Sequence, residues 1–170
     1  MTDHDDVRVR ARRPGDGEAL ARAWLDAARY YADLAPDTFQ VPEADGLAEH
    51  FERQIAAAER TDLLQVVAEV GDRVVGAAVG RIEAPMASAQ FQLQRQLGEA
   101  RLIVDMVVVE DAYRRQGVGA RLMASLEDWG REQGATRALL DTYPESALSL
   151  PFFQERMGYR RRSVRLYKPL

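Results

Sequence analysis

The sequence predicts one α/β domain, a mixed and mostly antiparallel sheet flanked by helices, and three observations carry that expectation. An apolar run from Leu102 to Val109, a glycine-bearing turn, a helical period and a second apolar run from Arg137 to Thr142 succeed one another as strand, helix and parallel strand. Ahead of them, Leu63 to Val70 and Arg73 to Glu83 flank Gly71-Asp72, a two-residue hairpin turn joining antiparallel strands. A strand and two helical periods come first.

The elements can be justified in order. Val7 to Arg12 alternates apolar and basic residues as an exposed-edge strand does. Asp16 can cap a helix that carries Leu20, Trp24, Ala27 and Tyr31 along one face. A second helix is expected across 44–60, where Leu47, Phe51 and Ile55 repeat every four residues. After the hairpin, residues 84–100 are too long for a tight turn and rich in glutamine. They form a loop or a short helical excursion whose Phe91, Leu93 and Leu97 can dock on the body or on a second subunit, so a homodimer is possible. Val118, Leu122, Leu126 and Trp129 then mark a helix that Gly134 stops. Ser146 to Met157 is read as a last helix, and Arg160, Arg161, Arg162 and Arg165 as one solvated face of a final hairpin.

Composition narrows the function. A chain of 170 residues buries roughly 70% of its unfolded surface, enough for one core, so residues 1–170 count as a single domain. The absence of cysteine excludes disulfides, thiolate metal sites and a cysteine nucleophile. His4 and His50 stand apart without companion ligands, so no metal is expected. A net charge of −4 argues against a nucleic-acid partner. No apolar stretch approaches the roughly 18 residues of a membrane span, and the acidic start Met-Thr-Asp-His-Asp-Asp is unlike a signal peptide. No membrane partner and a cytoplasmic location are expected.

The chemistry lies in the turn between the Leu102–Val109 run and the next helix. Gly117 and Gly119 lack Cβ atoms, so the backbone can turn sharply and approach a ligand closely. The first amides of the helix have no intrahelical partner, and the helix start adds roughly half a positive charge to those of Arg114 and Arg115. A diphosphate suits such a cradle. The glycine spacing fits neither a P-loop nor a three-glycine dinucleotide fingerprint.

Arg114-x-x-Gly117-x-Gly119 resembles the R-x-x-G-x-G/A acyl-coenzyme A signature of the GNAT superfamily of N-acetyltransferases. Phe153-Gln154-Glu155-Arg156-Met157-Gly158-Tyr159 resembles that family's closing segment, at the expected distance and order. The element order matches along the whole chain, although only residues 101–159 match in motif. The resemblance implies a parallel, splayed pair of central strands forming a cofactor cleft. It implies acetyl-coenzyme A as co-substrate, a diphosphate held beside Arg114 by backbone amides of about Arg115, Gln116, Gly117, Val118, Gly119 and Ala120, and backbone roles for Val107 toward the acyl carbonyl and Val109 toward the pantetheine. It also implies acetyl transfer to a primary amine, on a small molecule or a peptide, by direct attack in a ternary complex. An acyl-coenzyme A binding domain without catalysis is the alternative.

An amine must lose its proton before it can attack, which at neutral pH costs about 3 pK units, or roughly 4 kcal/mol. Asp105 is the one acid within Leu102 to Val109, two residues before Val107 and expected on the same buried face. It is read as the general base, acting through water, with a structural hydrogen-bond acceptor as the other reading; Glu69 and Glu83 are alternative bases. The chain departs from the family at the acid: Gln154 stands where many relatives carry a tyrosine, and Ala147 and Leu150, followed by Pro151, replace an asparagine and an alanine. Either Tyr143 or Ser149 supplies the proton, or the thiolate leaves unassisted, or the protein binds without turnover.

Overall fold

The computed structural model describes residues 7–56 and 60–168. Strands β1 (Val7–Ala11), β2 (Leu63–Val70), β3 (Arg73–Glu83), β4 (Arg101–Val109) and β5 (Arg137–Leu139) form one sheet in that spatial order. The first three pairings are antiparallel and β4 with β5 is parallel. Helices α1 (Gly17–Leu34) and α2 (Leu47–Ala56) cover one face and α3 (Val118–Glu132) the other.

The central strands are apolar on both sides because each face has its own core. On one side Val66, Ala68, Val75, Ala78, Leu102 and Val104 pack against Val118, Leu122, Met123 and Leu126 of α3. On the other, Val67, Ala77 and Val108 meet Leu20, Ala21, Ala23 and Phe51 of α1 and α2. The β2–β3 turn is the expected hairpin, with Val70 opposite Arg73 and Gly71 at φ +58°. Gly134, at φ +81°, stops α3 as its position predicts.

Two irregularities shape the functional region. The parallel pairing holds only at Arg101↔Arg137, Leu102↔Ala138 and Ile103↔Leu139, after which β4 and the chain following β5 diverge. Next to it, Val79 faces Met106 and Gly80 faces Val104, so Asp105 is an extra residue on β4, a bulge.

Several expected elements are corrected. The last strand ends at Leu139 rather than Thr142, because its continuation turns away from β4. The second helix starts at Leu47, not 44; residues 57–59 of its expected span lie outside the described residues, as do His4 and the acidic start. The last helix shrinks to α4 (Ser149–Pro151) followed by a π-helical turn, Phe152–Arg156, in which Met157 N–H reaches Phe152 O at 3.1 Å. Residues 160–168 form no hairpin; Arg162 bonds Gln96 and Arg165 bonds Asp141, so cationic side chains rather than a ladder engage the body. Within 84–100, short turns at Ala89–Phe91 and Arg95–Gly98 leave Phe91 and Leu93 exposed, not docked on the body.

Asp16 precedes α1 without capping it. Its carboxylate takes two hydrogen bonds of 2.8 Å from the Arg10 guanidinium and one of 2.8 Å from Arg13 N–H. Glu52 of α2 reaches across instead, accepting from Gly17 N–H at 2.6 Å and Gly15 N–H at 3.0 Å. The acceptor that the start of α1 needs is thus tertiary.

Candidate active site

The turn after β4 leaves its amides unsatisfied by construction. Arg115 and Gly117 both take left-handed conformations, φ +61° and +84°, and α3 begins at Val118. Alternating backbone of this kind, leading into a helix start, aims successive N–H groups to one side. Among the described residues no hydrogen bond engages the N–H groups of residues 115–120; the first bond of the new helix is Arg121 N–H to Gly117 O, at 3.1 Å. A Cβ at Gly117 would meet nothing within 4 Å, so glycine is required there for its dihedral rather than for room. At Gly119 a Cβ would come within 3.2 Å of Phe152 Cζ, so that glycine lets the phenylalanine lie over the helix start.

The loop is braced from below. Arg114 donates from Nε to Val109 O at 3.1 Å and from Nη1 to Asp111 Oδ1 at 2.8 Å, so its guanidinium is engaged by the protein. Gln116 Nε2 holds Ala112 O at 2.8 Å. Buried Glu110 accepts from Arg73 Nη2 at 2.6 Å and from Arg22 Nε at 3.3 Å, tying the end of β4 to β3 and α1. Sequence reasoning passed over Glu110, whose only signal is a carboxylate directly after an apolar run.

Beyond the cradle, the diverging strands leave a cleft of about 1000 Å³. Glu110 N–H bonds Val75 O of β3, so by strand alternation the N–H and C=O groups of Val109 and Val107 turn to the opposite side, into the gap. Val107, Val109, Arg114, Arg115, Gln116, Gly117, Gly119 and Ala120 line this cleft together, whereas Val118 is buried in the α3 core. Backbone donors for an anion and for an extended amide chain therefore adjoin one another, and the residues present fit a diphosphate with a pantetheine arm.

Asp105 also lines the cleft, but not as expected. The bulge reverses the strand's alternation, so Val104 and Val107 share the α3 side while Asp105 and Met106 face α1 and α2. Its side chain is half-exposed rather than buried, and Arg81 Nε sits 3.2 Å from its carboxylate. Neither alternative base lines the cleft: Glu69 is bound by Arg10 at 2.7 Å, and Glu83 by Arg81 at 2.7 Å and Arg101 at 3.2 Å.

In the same cleft, hydroxyls from three chain segments meet. Tyr31 of α1 donates to Ser149 Oγ at 3.0 Å, and Thr142, just past β5, donates to the same atom at 2.7 Å. Tyr30 Oη and the buried Ser146 Oγ lie 3.2 Å apart, and Ser149 N–H donates to Ser146 Oγ at 3.0 Å. Tyr30, Tyr31, Thr142 and Ser149 line the cleft; Tyr143 does not, its ring packing edge-on against Phe39 at 5.3 Å. Gln154 is likewise absent from the cleft wall, and Phe153 beside it packs on Tyr159. Thr142 and Ser146 went unread in sequence because only the fold brings them to Tyr30 and Tyr31.

Among the described residues no group of three or more histidine, aspartate or glutamate side chains is placed to hold a metal, and no helix is long and apolar enough to cross a membrane. The sequence matches the model of the Acetyltransferase (GNAT) family over residues 16–159. A Trypanosoma brucei acetyltransferase is 22% identical over 97% of this chain and 100% of its own, with a TM-score of 0.60. A transcriptional regulator from Bacillus halodurans C-125 is 21% identical over 96% and 99%, with a TM-score of 0.71. An aminoglycoside acetyltransferase from a soil metagenomic sample, solved with sisomicin, is 15% identical over 98% and 97%, with a TM-score of 0.61. At these identities the structural likeness speaks to the fold. Comparison with curated proteins finds no match.

Proposed function

Because the chain belongs to the acetyltransferase (GNAT) family, we propose that it moves an acetyl group from acetyl-coenzyme A to a primary amine, by direct attack within a ternary complex. The observation that carries the reading is the row of unbonded amides at residues 115–120 opening onto the inner edge of β4. Those amides hold the diphosphate, and Val107 and Val109 offer backbone groups to the acyl carbonyl and the pantetheine. Acetyl-coenzyme A supplies the acetyl group as a thioester, whose carbonyl carbon an amine lone pair can attack.

Asp105 relieves the amine of its proton, through a water that its half-exposed carboxylate can hold. Asp105 and Asp141 line the acceptor side, which suits a cationic amine on a small molecule or a peptide. Aminoglycosides belong in the first acceptor panel because one structural neighbour is an aminoglycoside acetyltransferase. The reading takes residues 1–170 as one cytoplasmic domain, with no metal and no nucleic-acid or membrane partner. Exposed Phe91 and Leu93 support a homodimer, which sedimentation velocity can test.

The test of the cradle is thermal melting with acetyl-coenzyme A. At a hundredfold excess over its dissociation constant, the ligand adds about 2.7 kcal/mol to the stability of a protein that binds it. Gly117→Glu, which sets bulk and like charge where the diphosphate lies, should remove that response; an undiminished response sinks the placement. Gln154 at the family's tyrosine position favours the second reading, binding without catalysis. Ligand-dependent melting with no transfer to any amine of a broad panel would select it.

A further inference from the structure

Ser149 has a hydrogen-bonding arrangement that leaves one proton unassigned. A serine hydroxyl carries one proton and two acceptor lone pairs. Tyr31 Oη at 3.0 Å and Thr142 Oγ1 at 2.7 Å both donate to Ser149 Oγ, which fills both lone pairs. The Ser149 proton can then point at neither neighbour. Among the described residues Ser149 Oγ donates to no acceptor, and the residue lines the cleft. Its backbone is fixed by the N–H bond to Ser146 Oγ, itself 2% exposed and in contact with Tyr30 Oη. A doubly supported hydroxyl thus lines the same cleft as the bulge on β4.

Resting on the acetyl-transfer reading, we propose that Ser149 protonates the departing sulfur, with Tyr31 and Thr142 as positioning residues that resupply its proton. As the amine nitrogen bonds to the carbonyl carbon and the carbon–sulfur bond breaks, the electron pair of that bond stays on sulfur. Ser149 Oγ hands its proton to this sulfur and takes one from Tyr31 or Thr142, which water reprotonates. The nitrogen gives up one proton, to Asp105 or to solvent, so one proton enters and one leaves. The arrangement supplies the acid that Gln154 cannot, since a neutral amide has no proton to give near neutral pH. It also excludes Tyr143, whose ring is spent on Phe39 outside the cleft.

The test reads the sulfur itself, on the full chain with coenzyme A bound, by the ultraviolet absorbance of the thiolate across pH. A hydroxyl that donates to the thiolate favours the charged form, so Ser149→Ala should raise the apparent pKa of the bound thiol by about one unit, a tenfold loss of thiolate at a given pH. Tyr31→Phe and Thr142→Val should shift it the same way by less, and Ser149→Thr, which keeps the hydroxyl, should restore it. Transfer to amine should fall in the same order. If Ser149→Ala does not fold, the Tyr31 and Thr142 variants carry the test. Wild-type protein that fails to bind coenzyme A overturns the acetyl-transfer reading and the inference with it. Binding with a thiol titration unchanged in all variants overturns the inference alone, as does a raised amine KM with unchanged kcat and titration, which would make the hydroxyls part of the acceptor pocket.

Discussion

At the scale of single residues, Asp105 shows how one inserted position can decide a chemical role. In unbroken alternation it would share the α3 side with Val107, two residues on; the bulge sets it on the other face, where the carboxylate lines the cleft beside Arg81. Asp105→Asn keeps the shape and removes the proposed base, so kcat near neutral pH should fall by about 10²-fold or more. Activity should partly return at high pH, where neutral amine is plentiful, and coenzyme A affinity should hold. A pH–rate profile that overlays wild type would refute the assignment. Asp105 was legible as a candidate because a lone acid in an apolar strand asks for a reason, but its side of the strand was not. Spacing assumes unbroken alternation, and a bulge has no signature in the β4 residues themselves. Gly117 was fully legible, since a left-handed turn into a helix favours glycine. Gly117→Ala should cost about 1–2 kcal/mol at φ +84° even without ligand, read from denaturant midpoints.

At the scale of elements, α1 is joined to the sheet through Asp16. Burial works against its charged form, but the Arg10 guanidinium and the Arg13 amide outweigh that and hold the carboxyl below its ordinary range. A carboxyl with a lower pKa in the folded state makes the fold bind fewer protons than the unfolded chain. Its contribution is therefore complete above the unfolded value of about 3.9 and is lost as pH falls through that value toward the folded one. Melting temperature should drop steeply below about pH 4 in wild type, and less steeply in Asp16→Asn, which starts lower at neutral pH. Where α1 crosses α2, a Cβ on Gly17 would lie 2.5 Å from Ala48 O, a backbone atom that cannot step aside. Gly17→Ala should thus destabilise by about 1–3 kcal/mol, visible as a lower melting temperature. The long elements could be read from period alone, because Leu20, Phe51, Leu122 and Leu126 repeat on faces that do become buried. The terminal ones could not. β5 and α4 are three residues each, too short for a period, and their limits follow from where the strands part.

At the scale of the whole molecule, two cores on opposite faces leave the seam between β4 and β5 open, and the cleft follows from that divergence rather than from any motif. The basic cradle was legible; the hydroxyl cluster that faces it was not, because Tyr31, Thr142 and Ser149 are far apart until the sheet and α1 bring them together. Although the chain carries a net charge of −4, the cradle adds Arg115 and a helix start beside it, so coenzyme A affinity should fall as salt rises. Calorimetric titrations at several ionic strengths should show that slope, and Arg115→Ala should flatten it. The same divergence has another consequence. β4 carries a row of backbone groups facing β5 without a ladder partner, the feature that makes the rim of a sheet a template for aggregation. Here that rim borders the cleft where β4 parts from the chain after β5, and Tyr31 and Phe152 line the same cleft. The unpaired stretch is the end of an inner strand, Val104 to Val109, so it offers a ligand a short run of donors and acceptors rather than the long outer edge on which sheets pair.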